Sequence, residues 1–400
     1  MPGATLRALA HRDFRLFFAG QAVSLVGTWM QHVAQAWLVY RLTGSSLALG
    51  TVAFLANVPV LVLGLAGGVL ADRYPRRRLL LIAHGVAAAQ AALLAGLTLG
   101  GRVEVWHVAA LALALGVVHA LEMPTRQSFL ADLVPRDDLS NAIALNSALF
   151  SAARFLGPAA AGVLVARMGE GAVFLLNALS YAAVLVALAA IRVPGGGGTG
   201  RGRPALVEGL RFAWRAGPIR AALLLVASVS LFGVPYAVLM PVFADQVLGG
   251  GPQTLGLLLG AAGGGSLLGA LRMARRRGTS GFGRLVGRAA LAAGVALMVL
   301  SQVRSTAVAL AVLPLLGLGF TTVVAGSNTF IQLHVPDALR GRVMALFSVT
   351  FIGMTPVGHL IAGAVAEAAG VPATIALYGA ACVLAAAGFG LMLARGGGAA

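Results

Sequence analysis

The sequence predicts an all-α integral membrane protein, with twelve transmembrane helices forming two pseudo-symmetric six-helix bundles. Three observations carry that expectation. Hydrophobic residues make up 59% of the 400-residue chain and charged residues only 10%, where a soluble domain carries about 25% charged residues. Apolar runs of about 20 residues, long enough to cross a bilayer as helices, recur from end to end. The two halves also match each other at an ungapped shift of about 200 residues, half the chain. Thr125–Pro135 aligns with Gly326–Pro336, and the same shift pairs Leu145 with Leu346, Ser147 with Ser348, Phe150 with Phe351, Gly157 with Gly358 and Gly162 with Gly363. A duplicated unit of this kind is expected to work as two halves, one rocking against the other.

The formal net charge of +17 raises the question of a nucleic-acid partner. Its distribution answers it. Every basic residue is arginine. With the N-terminus placed in the cytoplasm, only Arg41, Arg102, Arg167 and Arg304 fall on the opposite side, and only Arg154 stays inside a span. That is a positive-inside distribution, which accounts for the charge without nucleic acid and leaves both termini cytoplasmic. The absence of lysine excludes a phosphate-binding Walker loop and a pyridoxal Schiff base. Cys382 is the only cysteine, so no internal disulfide or cysteine metal cluster can form. The seven histidines show no ligand spacing, and no metal is expected. Ala34-Gln35-Ala36 mimics a signal-peptidase site, but the apolar run around it is far longer than a signal core.

In chain order, residues 1–192 are expected to hold the first bundle. Span 1 covers about Leu16–Tyr40. Its polar residues Gln21, Ser24, Thr28, Gln31, His32 and Gln35 recur at steps of three and four and share one helical face. Such a stripe cannot face lipid. It faces either a water-filled substrate cavity or partner helices through interhelical hydrogen bonds. Span 2 (Leu47–Leu70) carries Asn57, a further cavity candidate, and Pro59. Span 3 covers Leu79–Leu99. Span 4 runs Val105–Met123, with Glu122 and Pro124 marking its inner end; His119, Glu122 and Arg126 share a face, as a local ion pair or as a protonatable gate. Span 5 follows Val134-Pro135, whose proline and the acids Asp137-Asp138 suit a helix start, and runs to about Arg167. Arg154 inside it is the deepest charge in the chain and requires an acid or an anionic ligand. Span 6 covers Val173–Ile191. Residues 193–218 form a glycine-rich basic linker and an amphipathic helix over Ala205–Arg215. Residues 219–400 hold spans 7 to 12: Arg220–Val247, Gln253–Met273, Leu285–Ser301, Thr306–Asn328, Val343–Ala366 and Ala373–Ala394. Asn328 in span 10 and His359 in span 11 are further cavity candidates. Asp245, near the outer end of span 7, is either a boundary residue or a proton site.

The stretch Gly67-Gly68-Val69-Leu70-Ala71-Asp72-Arg73-Tyr74-Pro75-Arg76-Arg77-Arg78 ends span 2 in a glycine, an acid and a basic cluster. It resembles the loop between helices 2 and 3 of the major facilitator superfamily of transporters, with Pro75 where that family usually has a second glycine. Gly157, Pro158 and Gly162 in span 5 look like the antiporter branch's motif, with Ala153 and Ala161 replacing glycines. Phe14-Arg15, Ser24–Trp29, Trp37–Tyr40 and Thr43–Ser45 are similar to the bacterial exporter branch that includes the enterobactin exporter.

The resemblance covers essentially the whole chain. It implies the fold of that superfamily, a monomer in the bacterial inner membrane, and a midplane cavity lined by spans 1, 4, 7 and 10. It implies a conformational switch of Gly68, Asp72, Arg73, Arg76 and Arg77 working against a helix start near Gly341, with Arg340 and Arg342 beside it. It also implies export of a small organic molecule, drug- or siderophore-like, driven by the proton gradient with no cofactor. Glu122, Asp245 and Arg154 are the proton-coupling candidates, although span 4 lacks the arginine that the antiporter branch often carries within it. An importer or facilitator of the same fold, and a non-transporting membrane sensor, are the rival readings. An enzyme is not expected, since no nucleophile–base or metal set shares a face.

Overall fold

A computed structural model describes residues 6–192, 206–276, 278 and 281–395, and among these residues the secondary structure is entirely helical. The glycine-rich linker lies outside the described residues. Among the described residues ten helices are long and apolar enough to cross a membrane. The chain divides into two compact units, residues 1–43 with 55–201 and residues 44–54 with 202–400.

The first unit contains α1 (Arg12–Thr43), most of α2 (Ser46–Arg73), α3 (Arg76–Leu99), α4 (Val105–Leu133) and α5 (Leu139–Ala190). Helix α5 is 52 residues long and is broken at Gly169, where φ is +79° and ψ is 170°. Only glycine reaches that conformation readily, so the chain turns there between the predicted spans 5 and 6. Helix α1 lies against both parts of α5. A Cβ on Gly20 would stand 2.9 Å from the backbone of Val184, and one on Gly157 would stand 2.5 Å from Trp29 Cβ. The absence of side chains at these two positions is what lets the helices approach so closely. Near the start of α1, Phe14, Phe17, Leu80, Phe129 and Leu188 are fully buried, and the rings of Phe17 and Phe129 meet edge-on at 5.5 Å. A short 3₁₀ turn, Arg7–Ala10, is tied to the start of α5 by the Ala8 N–H on Asn141 Oδ1 (3.0 Å) and by His11 Nε2 on Asp138 (2.8 Å).

Span 4 is longer than expected. Helix α4 passes through Pro124 and continues to Leu133. A proline removes one backbone donor, and helices within a bundle tolerate that; the stop comes instead at Val134-Pro135. Glu122 and Arg126 therefore sit inside a continuous helix, not at its end.

The second unit contains α6 (Leu206–Arg215), α7 (Gly217–Ser228), α8 (Met240–Val242), α9 (Pro252–Arg275), α10 (Phe282–Gln302), α11 (Thr306–His334), α12 (Asp337–Ala369) and α13 (Val371–Arg395). The predicted amphipathic helix corresponds to α6, with Leu210, Arg211 and Trp214 exposed and Ala213 buried. Span 7 is not one regular helix. After α7 come a π turn (Val229–Gly233), a 3₁₀ stretch (Val234–Leu239), the single turn α8 and a second π turn (Phe243–Val247). Pro235 and Pro241, which lack backbone donors, lie within it. Helices α9 and α11 pack through glycines: a Cβ on Gly317 would strike the Ala262 carbonyl, and one on Gly265 the Pro314 carbonyl. The opening of α2 also belongs to this unit. There the Leu47 N–H (3.1 Å) and Ser45 hydroxyl (3.0 Å) donate to Glu367 near the end of α12.

Two boundaries differ from expectation here as well. Helix α11 runs past Asn328 to His334, and α12 begins at Asp337, directly after Pro336, rather than near Gly341. Proline and aspartate at the start again make a sound N-terminus. Arg340 and Arg342 consequently lie in the first turns of α12, and Arg340 pairs with Asp337 one turn back.

Candidate transport cavity

Helices α1, α3, α4 and α5 line a partly open cavity of about 140 Å³ within the first unit. From the predicted stripe, Gln21, Ser24, Thr28 and His32 line it. Thr28 donates to the Ser24 carbonyl (2.9 Å) and its hydroxyl meets the Tyr181 hydroxyl at 3.2 Å. Across the space Glu122 accepts the Arg126 Nε–H at 2.6 Å, with both side chains close to nine-tenths buried or more. The Arg126 guanidinium also lies over the Phe150 ring, 4.2 Å from its centroid. His84 from α3 and His119 from α4 complete the polar wall. Gln21 Nε2 and His84 Nε2 are buried without a hydrogen-bond partner among the described residues. Polar atoms left in that state call for water or a ligand.

Gln31 does not line this space. It is 1% exposed, donates to Gln90 on α3 (3.0 Å) and accepts from Asn177 on α5 (2.6 Å). Gln90 donates onward to the Leu111 carbonyl at 3.3 Å, and Ser180 donates to Asn177 at 3.0 Å. This is a satisfied packing network between helices, the alternative that the stripe left open. Gln35 is buried and also absent from the lining; half-buried Asn57 and Asn328, and buried His359, are absent from it too. Asn328 accepts from Gln332 at 2.6 Å, and His359 is buried in the second unit.

The proton candidates separate by position. Glu122 faces the cavity. Asp245 is exposed within the second π turn of span 7. Arg154 lies midway along the part of α5 before Gly169, exposed from the protein, with its guanidinium 5.5 Å from the ring centroid of Trp29, itself a lining residue. Gly157, Pro158 and Gly162 are buried in the same helix.

On the side where α2 ends, Gly68 borders open space and Asp72 is half-buried in the last turn. Arg73 is exposed. Arg76 turns to Asp132 on α4, at 2.8 and 2.9 Å, and Arg77 donates to the Leu188 (2.6 Å) and Ala189 (2.8 Å) carbonyls at the end of α5. These arginines tie α3 to α4 and α5 and satisfy carbonyls at a helix C-terminus. Sequence reasoning missed Asp132 as their partner, and it missed Gln90, Asn177, His84 and Tyr181. A lone polar residue within an apolar span was the signal available for Gln90, Asn177, His84 and Tyr181.

The comparisons with known proteins agree in kind. The family model described as transmembrane secretion effector matches residues 3–395. The multidrug efflux pump Tap of Mycolicibacterium fortuitum is 29% identical over 367 residues, covering 87% of this chain and 88% of its own. The staphyloferrin A transporter of Staphylococcus aureus is 24% identical over 371 residues, covering 91% and 92%. Among solved structures, a bacterial homologue of the human lysosomal transporter Spinster, inward-facing and unoccupied, superposes with a TM-score of 0.75 at 15% identity over 96% of both chains. A match that long, on a chain rich in membrane-length apolar helices, makes this protein a member of the transmembrane secretion effector family of major facilitator transporters.

Proposed function

We propose that this protein exports a small organic molecule, drug- or siderophore-like, from the cytoplasm by alternating access, in exchange for protons. The observation that carries the reading is the buried Glu122–Arg126 pair facing a cavity whose wall mixes polar and aromatic side chains inside the first unit. An ionisable group at membrane depth that faces a cavity marks a substrate or proton path. A proton arriving at Glu122 cancels the charge that holds Arg126. The guanidinium is then released to other partners, which couples protonation to the shape and charge of the cavity. Trp29, Phe150 and Tyr181 offer aromatic surface for the apolar part of a substrate. At about 140 Å³ the cavity is smaller than the ~300 Å³ or more that a drug-sized ligand needs. It therefore widens when substrate enters.

The relatives named as a multidrug efflux pump and a staphyloferrin A transporter support the substrate class. The span count becomes twelve when α1, 32 residues long, joins the ten apolar helices and the Gly169 break divides α5 in two. The arginine distribution supports cytoplasmic termini in a bacterial inner membrane. Asp72, with the arginines after it and Arg340 and Arg342, serves as the conformational switch. The cavity lies within one unit of one chain, which favours a monomeric transporter. The test is a panel of drugs and siderophores screened for thermal stabilisation in detergent, then flux of each hit in liposomes under an imposed pH gradient. A hit that moves down its own gradient but never accumulates against it removes the proton from the mechanism.

A further inference from the structure

Helices α10 and α11 of the second unit leave an apolar groove of about 430 Å³ on the surface of that unit. Leu291, Val295 and Val299 from α10 and Leu315 from α11 line it, each between 44% and 57% exposed, over a floor that includes Ala292 and Ala296. Arg288 closes one end, and Arg284 lies one helical turn before it. Among the described residues neither arginine makes a hydrogen bond or ion pair. From Arg288 to Val299 the groove follows α10 for about 16 Å at 1.5 Å per residue. One leaflet of a ~30 Å hydrocarbon core has nearly that depth.

We propose that this groove binds an anionic phospholipid, one acyl chain lying along the valine–leucine stripe and the phosphate held by Arg284 and Arg288. The groove by itself only faces hydrocarbon, and any lipid would cover it. The arginines make it selective. Two exposed guanidinium groups one turn apart at the end of a membrane helix attract an anion to the interface, Arg–phosphate pairs are strong and directional, and basic pockets on the cytoplasmic side of membrane helices take anionic headgroups. Placement in the inner leaflet rests on the orientation proposed above; the pairing of chain with phosphate does not.

The experiment is native mass spectrometry of the full chain in mild detergent with equal dioleoyl phosphatidylglycerol and dioleoyl phosphatidylcholine. The wild type is expected to retain phosphatidylglycerol on the order of tenfold better, the discrimination that two arginines near a charged surface provide. Arg284→Gln with Arg288→Gln reduces the ratio to about one. Val295→Trp fills the groove, leaves both arginines in place and lowers phosphatidylglycerol retention. Equal retention of both lipids by the wild type overturns the proposal. So does a preference that survives the double substitution, or, should that variant not fold, full retention by Val295→Trp. If labelling of a cysteine placed at position 288 shows that it faces the periplasm, the orientation fails while the lipid preference stands.

Discussion

Replacing Glu122 by glutamine separates the roles of its charge and its shape. The carboxylate accepts Arg126 Nε–H at 2.6 Å, with side-chain exposures of 11% and 6%. Glutamine keeps an acceptor of the same reach but loses the charge. Hydrogen bonds to charged groups contribute about 1.5–3 kcal/mol and neutral ones about 0.5–1.5. The expected loss of stability is therefore about 1–2 kcal/mol. Glu122→Ala leaves a buried guanidinium unpaired and costs about 3–5 kcal/mol. Adding Arg126→Met to Glu122→Ala recovers part of that, so the two single effects exceed the double one. Transport separates more sharply. One pH unit stores about 1.4 kcal/mol, which sustains about a tenfold substrate gradient at one proton per molecule. Wild-type liposomes under that gradient are expected to accumulate substrate about tenfold. Glu122→Gln is expected to exchange labelled substrate at equilibrium but to accumulate none. Accumulation by Glu122→Gln at the wild-type level refutes Glu122 as the proton site. Coupled proton flux that survives Glu122→Gln and Asp245→Asn together removes both acids.

Three further outcomes follow from the same geometry. Asp72→Asn is expected to abolish transport while the protein still inserts; unchanged flux at equal protein level in vesicles removes its switch role. Gln31→Leu breaks the Gln90–Asn177 network and is expected to cost about 1–3 kcal/mol through unsatisfied buried amides, read as a lower melting temperature in detergent, with substrate selectivity unchanged because Gln31 does not line the cavity. Gly317→Ala drives a methyl group into the Ala262 carbonyl and is expected to cost about 1–3 kcal/mol by overpacking. A melting temperature equal to wild type means that α9 and α11 can move apart freely.

The spans were legible because a bilayer imposes one simple demand, a long apolar run, and the arginines mark its edges. The ends were less legible. Pro124 reads as a stop in one dimension, yet in the bundle the helix runs on to Leu133, because neighbouring helices tolerate the missing donor. The polar stripe of α1 was half legible. Gln31 and His32 project about 100° apart around the helix axis. A stripe of that width meets two environments, so His32 opens into the cavity while Gln31 is held between α3 and α5. Nothing in the local pattern separates the two. The partners Gln90, Asn177 and Tyr181 lie far away in sequence, and only the helix packing brings them together. Asp132 escaped notice for the same reason, since it answers Arg76 across a separation of 56 residues.

The irregular course of span 7 changes what that helix can do when it moves. A π turn accommodates one residue more than an α turn, and such turns recur at functional sites. Passing that surplus along the helix, from Val229–Gly233 toward Phe243–Val247 or back, swings the intervening side chains by about 100° while both ends stay anchored. Span 7 can thus present a new face, Tyr236 included, by corkscrewing in place without tilting, at the cost of shifting a few backbone hydrogen bonds by one residue.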